Sequence, residues 1–250
     1  ASYLRSGRSV GGEAFAAAGE ADGARSRGGA FALAAGDSKL LLAAERTDGH
    51  ETSNRGEDDS LGAARTTPNP QRYRSESQLT KWTAQGPAGW RTVATAERFA
   101  RDARTDVRSL NPQSKRTTSL TGDDRARRER YSMEATGYGV GPFSRLSSTA
   151  YAQDSLTQQD TAEIRANVTA ACLSTPGTVR CLREPRFRYE ASERGVVAIG
   201  EHEGRAWGLE HRVVAGAEAS RTRATESRDG RQTNLVTGAV THVVGGEALH

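Results

Sequence analysis

The sequence predicts an all-β protein with one antiparallel series of strands, and the first observation behind this prediction is composition. Leu, Val, Phe and Ile make up only 37 of the 250 residues, and the mean hydropathy is −0.70. That share is too small for a soluble core in a chain of this length. The chain also lacks the high net charge of a disordered protein, because 35 basic residues nearly balance 31 acidic ones.

The second observation is the spacing of the apolar residues. Helical periodicity is scarce, and the period of two that is typical of strands is common. The clearest strand covers residues 207–221, where Leu209 belongs to the apolar face and Glu210, Arg212 and Glu218 belong to the polar face. A soluble strand usually has about five or six residues. A longer strand suits a tilted crossing of an outer membrane.

Eight earlier segments alternate in the same way, though less cleanly, so nine strands are predicted. In chain order the nine segments are residues 12–19, 29–35, 39–46, 73–84, 90–101, 128–137, 143–154, 187–200 and 207–221. The connections between them alternate in length. Short turns are predicted at residues 36–38, 85–89, 138–142 and 201–205, and long polar connections at residues 47–72, 102–127 and 155–186, with a fourth that begins near Thr222.

This alternation is typical of bacterial outer-membrane barrels, which have short periplasmic turns and long extracellular loops. A strand with one face in lipid and one face toward a polar lumen needs an apolar residue only at every second position, which accounts for the composition. We therefore expect an antiparallel transmembrane β-barrel segment in which Leu209 faces lipid and Glu210, Arg212 and Glu218 face the lumen. The aromatic residues that lie close to the short turns fit an interfacial girdle: Trp82, Trp90, Phe143 and Trp207.

Several other classes are excluded or disfavoured. The longest apolar runs, residues 30–35 and 40–44, are far shorter than the roughly 20 residues of a membrane helix, and the first residues do not form a signal peptide. No sequence motif of a nucleotide-binding loop, a zinc protease or a serine hydrolase occurs, so we predict no enzyme, no catalytic residue and no metal site. Four arginines lie in residues 125–130, but Asp123, Asp124 and Glu129 lie among them and no aromatic stacking platform accompanies them, so we predict no nucleic-acid partner.

The two cysteines, Cys172 and Cys181, enclose eight residues with a central Pro176-Gly177 turn. This spacing can bring the two Cα atoms within disulfide range, and a disulfide would indicate an oxidising compartment. A pair of free thiols is the alternative, whereas zinc lacks the further ligands that it needs. Residues 160–171, just before Cys172, resemble a helix with a capping box, which would stabilise the loop or contact a partner.

A series of short motifs resembles TonB-dependent outer-membrane receptors, in particular their haem/haemoglobin (transferrin/lactoferrin) receptor branch. The motifs of the first long loop and returning strand are Gly49-His50-Glu51-Thr52, Asp58-Asp59-Ser60, Thr67-Pro68-Asn69-Pro70, Tyr73, Ser75-Glu76-Ser77 and Lys81. Two later stretches, residues 124–132 and 207–230, resemble further strands of that branch. Each motif alone is weak, and their order and spacing carry the resemblance.

The resemblance implies a 22-stranded barrel with an amino-terminal plug domain. Residues 1–250 would then form one partial barrel domain without the plug and the carboxy-terminal strands, and this segment alone would neither transport nor fold stably. The implied location is the bacterial outer membrane. The implied partners are outer-membrane lipid, extracellular haem or a haem protein, and the TonB-ExbB-ExbD energy-transducing complex, which would act through the absent amino-terminal regions.

The implied cargo is haem or an iron chelate, with no covalently bound cofactor. Haem capture needs an axial ligand in an apolar cleft, and the weak extracellular candidates are His50, His242 and His250, which lie in long loops. His202 and His211 are poorly placed, in a predicted turn and on a strand. The axial histidines of the branch belong to the plug and to a loop near a Phe-Arg-Ala-Pro-like box that does not occur here, so the resemblance assigns no ligand residue.

Two alternatives stay open. A TonB-dependent siderophore receptor would lack a Phe-Arg-Ala-Pro-like box downstream of this segment. A surface-exposed β protein that binds without transporting, similar to an adhesin, would be soluble without detergent.

Overall fold

The structure is a computed structural model that describes residues 9–110, 117–166 and 180–242. Within these ranges, ten strands form one antiparallel sheet in which each strand pairs with its neighbours along the chain. The strands are β1 Val10–Ala18, β2 Arg25–Ala35, β3 Ser38–His50, β4 Gln71–Gln85, β5 Arg91–Asp106, β6 Thr117–Val140, β7 Phe143–Ala166, β8 Arg180–Ala206, β9 Leu209–Asn234 and β10 Val240–His242. The predicted all-β antiparallel class is confirmed, and the sheet is not closed.

Helical structure is confined to a 3-10 turn at Pro87–Gly89 within the described ranges. None of the described segments forms a helix with the length and apolar character that crossing a membrane requires. The predicted helix at residues 160–171 is wrong for residues 160–166, which belong to β7. Their backbone groups pair with β6 and β8, and this pairing outweighs the local capping signal. Residues 167–171 lie outside the described residues.

The last four long strands extend well beyond the predicted segments. Strands β6, β7, β8 and β9 have 24, 24, 27 and 26 residues. Much of each predicted loop at residues 102–127, at residues 155–186 and after Thr222 is therefore strand. The predicted turn at residues 201–205 is also wrong, because β8 continues through it and the chain reverses at Trp207 and Gly208, which have φ angles of 51° and 79°.

Backbone pairing forms these extensions, and ion pairs connect neighbouring strands within them. Arg125 and Arg127 on β6 lie 3.2 and 2.9 Å from the carboxylate of Asp102 on β5. Farther along the sheet, Arg186 on β8 pairs with Asp160 on β7 at 2.5 Å. Opposite charges on adjacent strands stabilise a sheet without producing an apolar alternation in the sequence.

The pairing register divides the side chains between two faces, because antiparallel partners point to the same side and successive residues to opposite sides. We name face A as the face that carries Leu209 and face B as the face that carries Glu210. Face A holds most of the large apolar strand side chains that are exposed: Val10, Phe31, Leu33, Leu42, Trp82, Tyr131, Met133, Val196, Leu209 and Val213. At the same levels face B is largely polar: Lys39, Lys81, Glu97, Glu134, Glu201 and Arg212.

The sheet buries almost nothing against itself. Among the described residues, the buried apolar side chains are those of Ala32 and Cys181, at 4% and 1% exposure. The accessible surface is 16942 Å², whereas a compact protein of 26.7 kDa has roughly 10,700 Å². The described residues therefore form no core that covers face A, and the apolar side chains of this face are left exposed.

The short turns are staggered along the sheet. The first short turn lies between Ala35 and Ser38, and the last lies between Ala206 and Leu209. When the level of the first turn is followed through the pairings from β3 to β9, the last turn lies eight residues farther along the strand direction. With about 3.3 Å per residue and about 4.8 Å between strands, this stagger over six strand steps corresponds to a tilt of about 42°. Transmembrane barrels have strand tilts of about 35–45°.

Aromatic rings cover glycines on the adjacent strand, and this packing is testable at Gly195. Its neighbour Tyr151 donates a hydrogen bond to Glu193 at 3.1 Å, and a Cβ atom at residue 195 would lie 2.7 Å from the Tyr151 Cζ atom. We expect Gly195→Val to lower the free energy of unfolding in detergent by about 1–3 kcal/mol through overpacking. The control Gly122→Val adds a side chain where nothing lies within 4 Å and should change stability by less than about 1 kcal/mol. Equal losses would contradict this packing.

Candidate functional site at the loop end of the sheet

The sequence places candidate ligand contacts in the long connections, and the structure places these connections at the end of the sheet opposite the short turns. We call this the loop end. It comprises residues 19–24, 51–70, 107–110 and 235–239 in the described parts of the chain. The residues of the predicted 47–72 loop that lie outside the strands form an ordered unit.

Arg65 organises the loop of residues 51–70. Its side chain is only 2% exposed, and its Nη2 atom lies 2.7 Å from a carboxylate oxygen of Asp59. The guanidinium also donates hydrogen bonds to the carbonyl oxygens of Asp59 and Pro68, each at 2.8 Å. One arginine therefore connects the two sides of the loop. The hydrogen bond from Thr67 and then the contact with Arg65 lower the pKa of the Asp59 carboxyl below its usual value.

Asn69 connects this loop to the next long connection. Its side-chain carbonyl accepts hydrogen bonds from the backbone N–H groups of Arg108 and Ser109, at 2.8 and 3.0 Å. The N–H group of Gly62 donates to the carbonyl oxygen of Arg108 at 2.9 Å. Residues 51–70 and 107–110 thus form one continuous surface, which presents the exposed side chains of Leu61 and Leu110.

The short β1–β2 connection packs against the start of β4. Tyr73 donates a hydrogen bond to the carboxylate of Asp22 at 2.7 Å, its ring covers Gly49, and the guanidinium of Arg101 lies 5.0 Å from the ring centre. The bond from Tyr73 is the main cause that lowers the pKa of the Asp22 carboxyl below its usual value. The same hydrogen bond connects the β1–β2 connection to β4.

The side chain of His50 takes part in the same packing. Its Nδ1 atom donates a hydrogen bond to the carbonyl oxygen of Glu51 at 2.9 Å. Its Nε2 atom lies against Gly23, where an added Cβ atom would be 2.0 Å away. Gly23 also has a φ of 56°. Although the side chain is half exposed, both ring nitrogens face the protein, so this rotamer does not present an open axial ligand.

His242 lies elsewhere, at the end of β10, and borders a groove on face A. The groove has a volume of about 440 Å³ and is lined mainly by charged side chains, including Asp123, Asp160, Glu184, Arg186, Asp229 and Arg231. Six strands separate β3 from β10 in the sheet, so the structure does not bring His50 and His242 together. His250, the third candidate, lies outside the described residues.

Of the two cysteines in the predicted disulfide, Cys181 lies among the described residues. Cys181, the second residue of β8, is 1% exposed and lies opposite Asn234, which is also buried. Cys172 lies outside the described residues, so the pairing with Cys172 stays a prediction.

The three predicted lumen residues share face B, opposite Leu209. Arg212 donates a hydrogen bond to Glu201 at 2.6 Å, and Glu218 accepts one from Tyr151 at 3.4 Å. A cavity of about 280 Å³ on face B is lined by side chains that run from Glu13 on β1 to Arg128 on β6. Both faces of the open sheet therefore carry depressions, since the charged groove beside His242 lies on face A.

The described residues contain no cluster of three or more His, Cys, Asp or Glu side chains arranged to hold a metal ion. Comparisons with known proteins found no protein-family model that matches this chain and no curated protein that matches it.

Sequence reasoning missed the residues that order the loop end. Arg65, Asn69 and Asp22 act through hydrogen bonds to backbone groups and to residues distant in sequence, and no periodic pattern marks such contacts. The Pro68-Asn69-Pro70 stretch was the available signal, since prolines on both sides restrict the backbone of an asparagine that can cap a neighbouring segment.

The role of Arg65 is testable by proteolysis. We expect Arg65→Met to expose residues 51–70 and to raise the rate of Glu-C cleavage after Glu57 at least about tenfold, because hydrogen bonds from a buried charged group are lost. Arg55→Met is the matched control, since Arg55 is exposed in the same loop. Similar cleavage rates for both variants would show that Arg65 does not hold the loop.

Proposed function

We propose that this chain is the membrane-spanning part of an outer-membrane β-barrel, and that the barrel is a TonB-dependent receptor that imports haem or haemoglobin-derived iron. The observation that carries the first part is the exposed apolar side chains of face A, which the sheet leaves uncovered. In water such a surface would be a large aggregation-prone patch, whereas in a bilayer it is the face that meets hydrocarbon.

The dimensions of this apolar band support the proposal. On β9 the band extends from Leu209 to Ala219 on face A, interrupted by His211. Ten residue steps cover about 33 Å along the strand, which becomes about 25 Å at a tilt of about 42°. Lipid-facing bands of outer-membrane barrels are about 25 Å tall.

The two ends of the sheet differ, and this difference supports a periplasmic position for the short turns and an extracellular position for the loop end. The turns near the apolar band contain two to five residues, and Trp82, Trp90 and Trp207 lie beside them, as expected of a periplasmic interface with an aromatic girdle. The strands continue past the band on the other side, so the loop end would stand well outside the membrane. Residues 51–70 and 107–110 would then be available to an extracellular ligand.

The receptor class and its cargo are supported by the sequence resemblance. The motif around His50 lies at the loop end, and residues 124–132 lie on β6. In this proposal the loop end meets haem or a haem protein, outer-membrane lipid surrounds face A, and the TonB-ExbB-ExbD complex supplies energy through a plug. A Phe-Arg-Ala-Pro-like box downstream in the gene would favour haem over a siderophore.

Two adjacent valines test the membrane-spanning role. Val213 on face A and Val214 on face B are each 56% exposed, so the two positions differ chiefly in the face to which they belong. We expect Val213→Arg to make the free energy of insertion into phospholipid vesicles less favourable by about 2–4 kcal/mol. This is the cost of a charge on the lipid face near the midplane. Val214→Arg should insert nearly as well as the wild type, because its side chain lies on the polar face B.

The readout is the fraction of protein that becomes protease-protected and resistant to urea extraction after mixing with vesicles. Equal insertion of both variants would contradict the assignment of face A to lipid. A wild-type chain that stays soluble and β-rich without detergent would favour the adhesin-like alternative.

A further inference from the structure

Three arginines form a cluster on face A of strands β8 and β9. Arg194 and Arg221 are directly opposite in the register, and Arg223 follows two residues beyond Arg221 on the same face. All three side chains are exposed. Like charges directly opposite each other destabilise a strand pair, so this arrangement is unfavourable unless an anion lies between the guanidinium groups.

The described carboxylates do not neutralise the arginine cluster. None of the described acidic groups lies within 4.0 Å of the three guanidinium groups. On the same face, Asp154 lies opposite Ser192, and Glu190 is engaged by Arg188. By contrast, the other arginines that β8 and β9 carry on this face between residues 186 and 231 are paired: Arg186 with Asp160, Arg188 with Glu190 and Arg231 with Glu184.

The position of the cluster relates it to the apolar band. Val196 and Ala219, the next residues toward the short turns on face A, are directly opposite each other. They form the edge of the apolar band that is nearer the loop end, which we call the upper edge. The cluster therefore lies one residue pair above this edge. A second pair of opposed arginines, Arg27 and Arg46, occupies the corresponding border on β2 and β3, although Arg46 also contacts Asp48 and Glu76.

We propose that Arg194, Arg221 and Arg223 bind the phosphate of an anionic lipid headgroup in the leaflet next to the loop end. This inference rests on the proposed membrane-spanning function, which places the border of the band at the depth of the headgroups. Guanidinium groups bind phosphate oxygens through paired hydrogen bonds. An anion held between Arg194 and Arg221 would also remove the repulsion between them.

The test is the binding of a short-chain phosphatidic acid to the full chain in an uncharged detergent, measured by isothermal titration calorimetry. The triple variant Arg194→Gln, Arg221→Gln, Arg223→Gln should bind roughly 100-fold more weakly, because each arginine contributes about fivefold at an anionic surface. The control Arg186→Gln, Arg188→Gln, Arg231→Gln removes three charges from the same face of the same strands and should keep the affinity of the wild type.

Two results would overturn the proposal. Equal affinities of the triple variant and the control would show that the cluster is not the site. Inorganic phosphate that binds as tightly as phosphatidic acid would show a site for the free anion and not for a lipid. Circular dichroism of the same samples separates the two proposals, because a detergent-dependent β-sheet spectrum supports the membrane-spanning function whether or not the lipid binds.

Discussion

The rest of the structure depends on one constraint, which is that a strand places successive side chains on opposite faces. The register of nine strand pairs aligns this alternation across the sheet, so exposed apolar residues collect on face A and polar residues on face B. A shift of one residue in any pair would reverse this arrangement for that strand. In the proposed barrel, the same register would determine which face meets lipid and which face surrounds the interior.

A second interaction controls the part of the sheet beyond the apolar band. There both faces are polar, and pairs such as Arg127 with Asp102 and Arg186 with Asp160 connect neighbouring strands. Exposed ion pairs contribute little individually. Their repetition across adjacent strands, together with the backbone hydrogen bonds, keeps the long hairpins extended and raises the loop end above the band. The arginine cluster at the upper edge of the band differs because its three members have no such partner among the described residues.

The parts of the fold that the sequence predicted are those in which apolar alternation is strong. The turns at Gly36 and around Gly86, and the opposite faces of Leu209 and Glu210, follow from that alternation and agree with the structure. The upper parts of β6 and β9 could not be predicted in this way, because their charged, hydroxyl-bearing and amide side chains show no apolar alternation and look like a loop. The pairing that makes them strand joins residues that are distant in sequence, such as Asp123 with Asp160 and Thr222 with Glu193.

The candidate site shows the same limit. The position of His50 beside a long loop was predictable, but its contact with Gly23 was not, since that contact depends on how the β1–β2 connection packs against β3 and β4. The turn at Trp207 and Gly208 illustrates a local ambiguity: the Glu201–Arg205 stretch is polar enough for a turn, yet pairing with β9 keeps it in β8. Tertiary pairing decided both outcomes.

The measurement that tests the central claim most directly is a spin-label scan of β9 from residue 209 to residue 219 in reconstituted vesicles. Each position would carry one nitroxide on a cysteine-free background, and collision with oxygen would be compared with collision with a polar nickel complex. The account predicts a period of two, with greater oxygen accessibility at odd-numbered positions and greater nickel accessibility at even-numbered ones. Accessibilities without this alternation, or with the two sets exchanged, would contradict the assignment of face A to lipid.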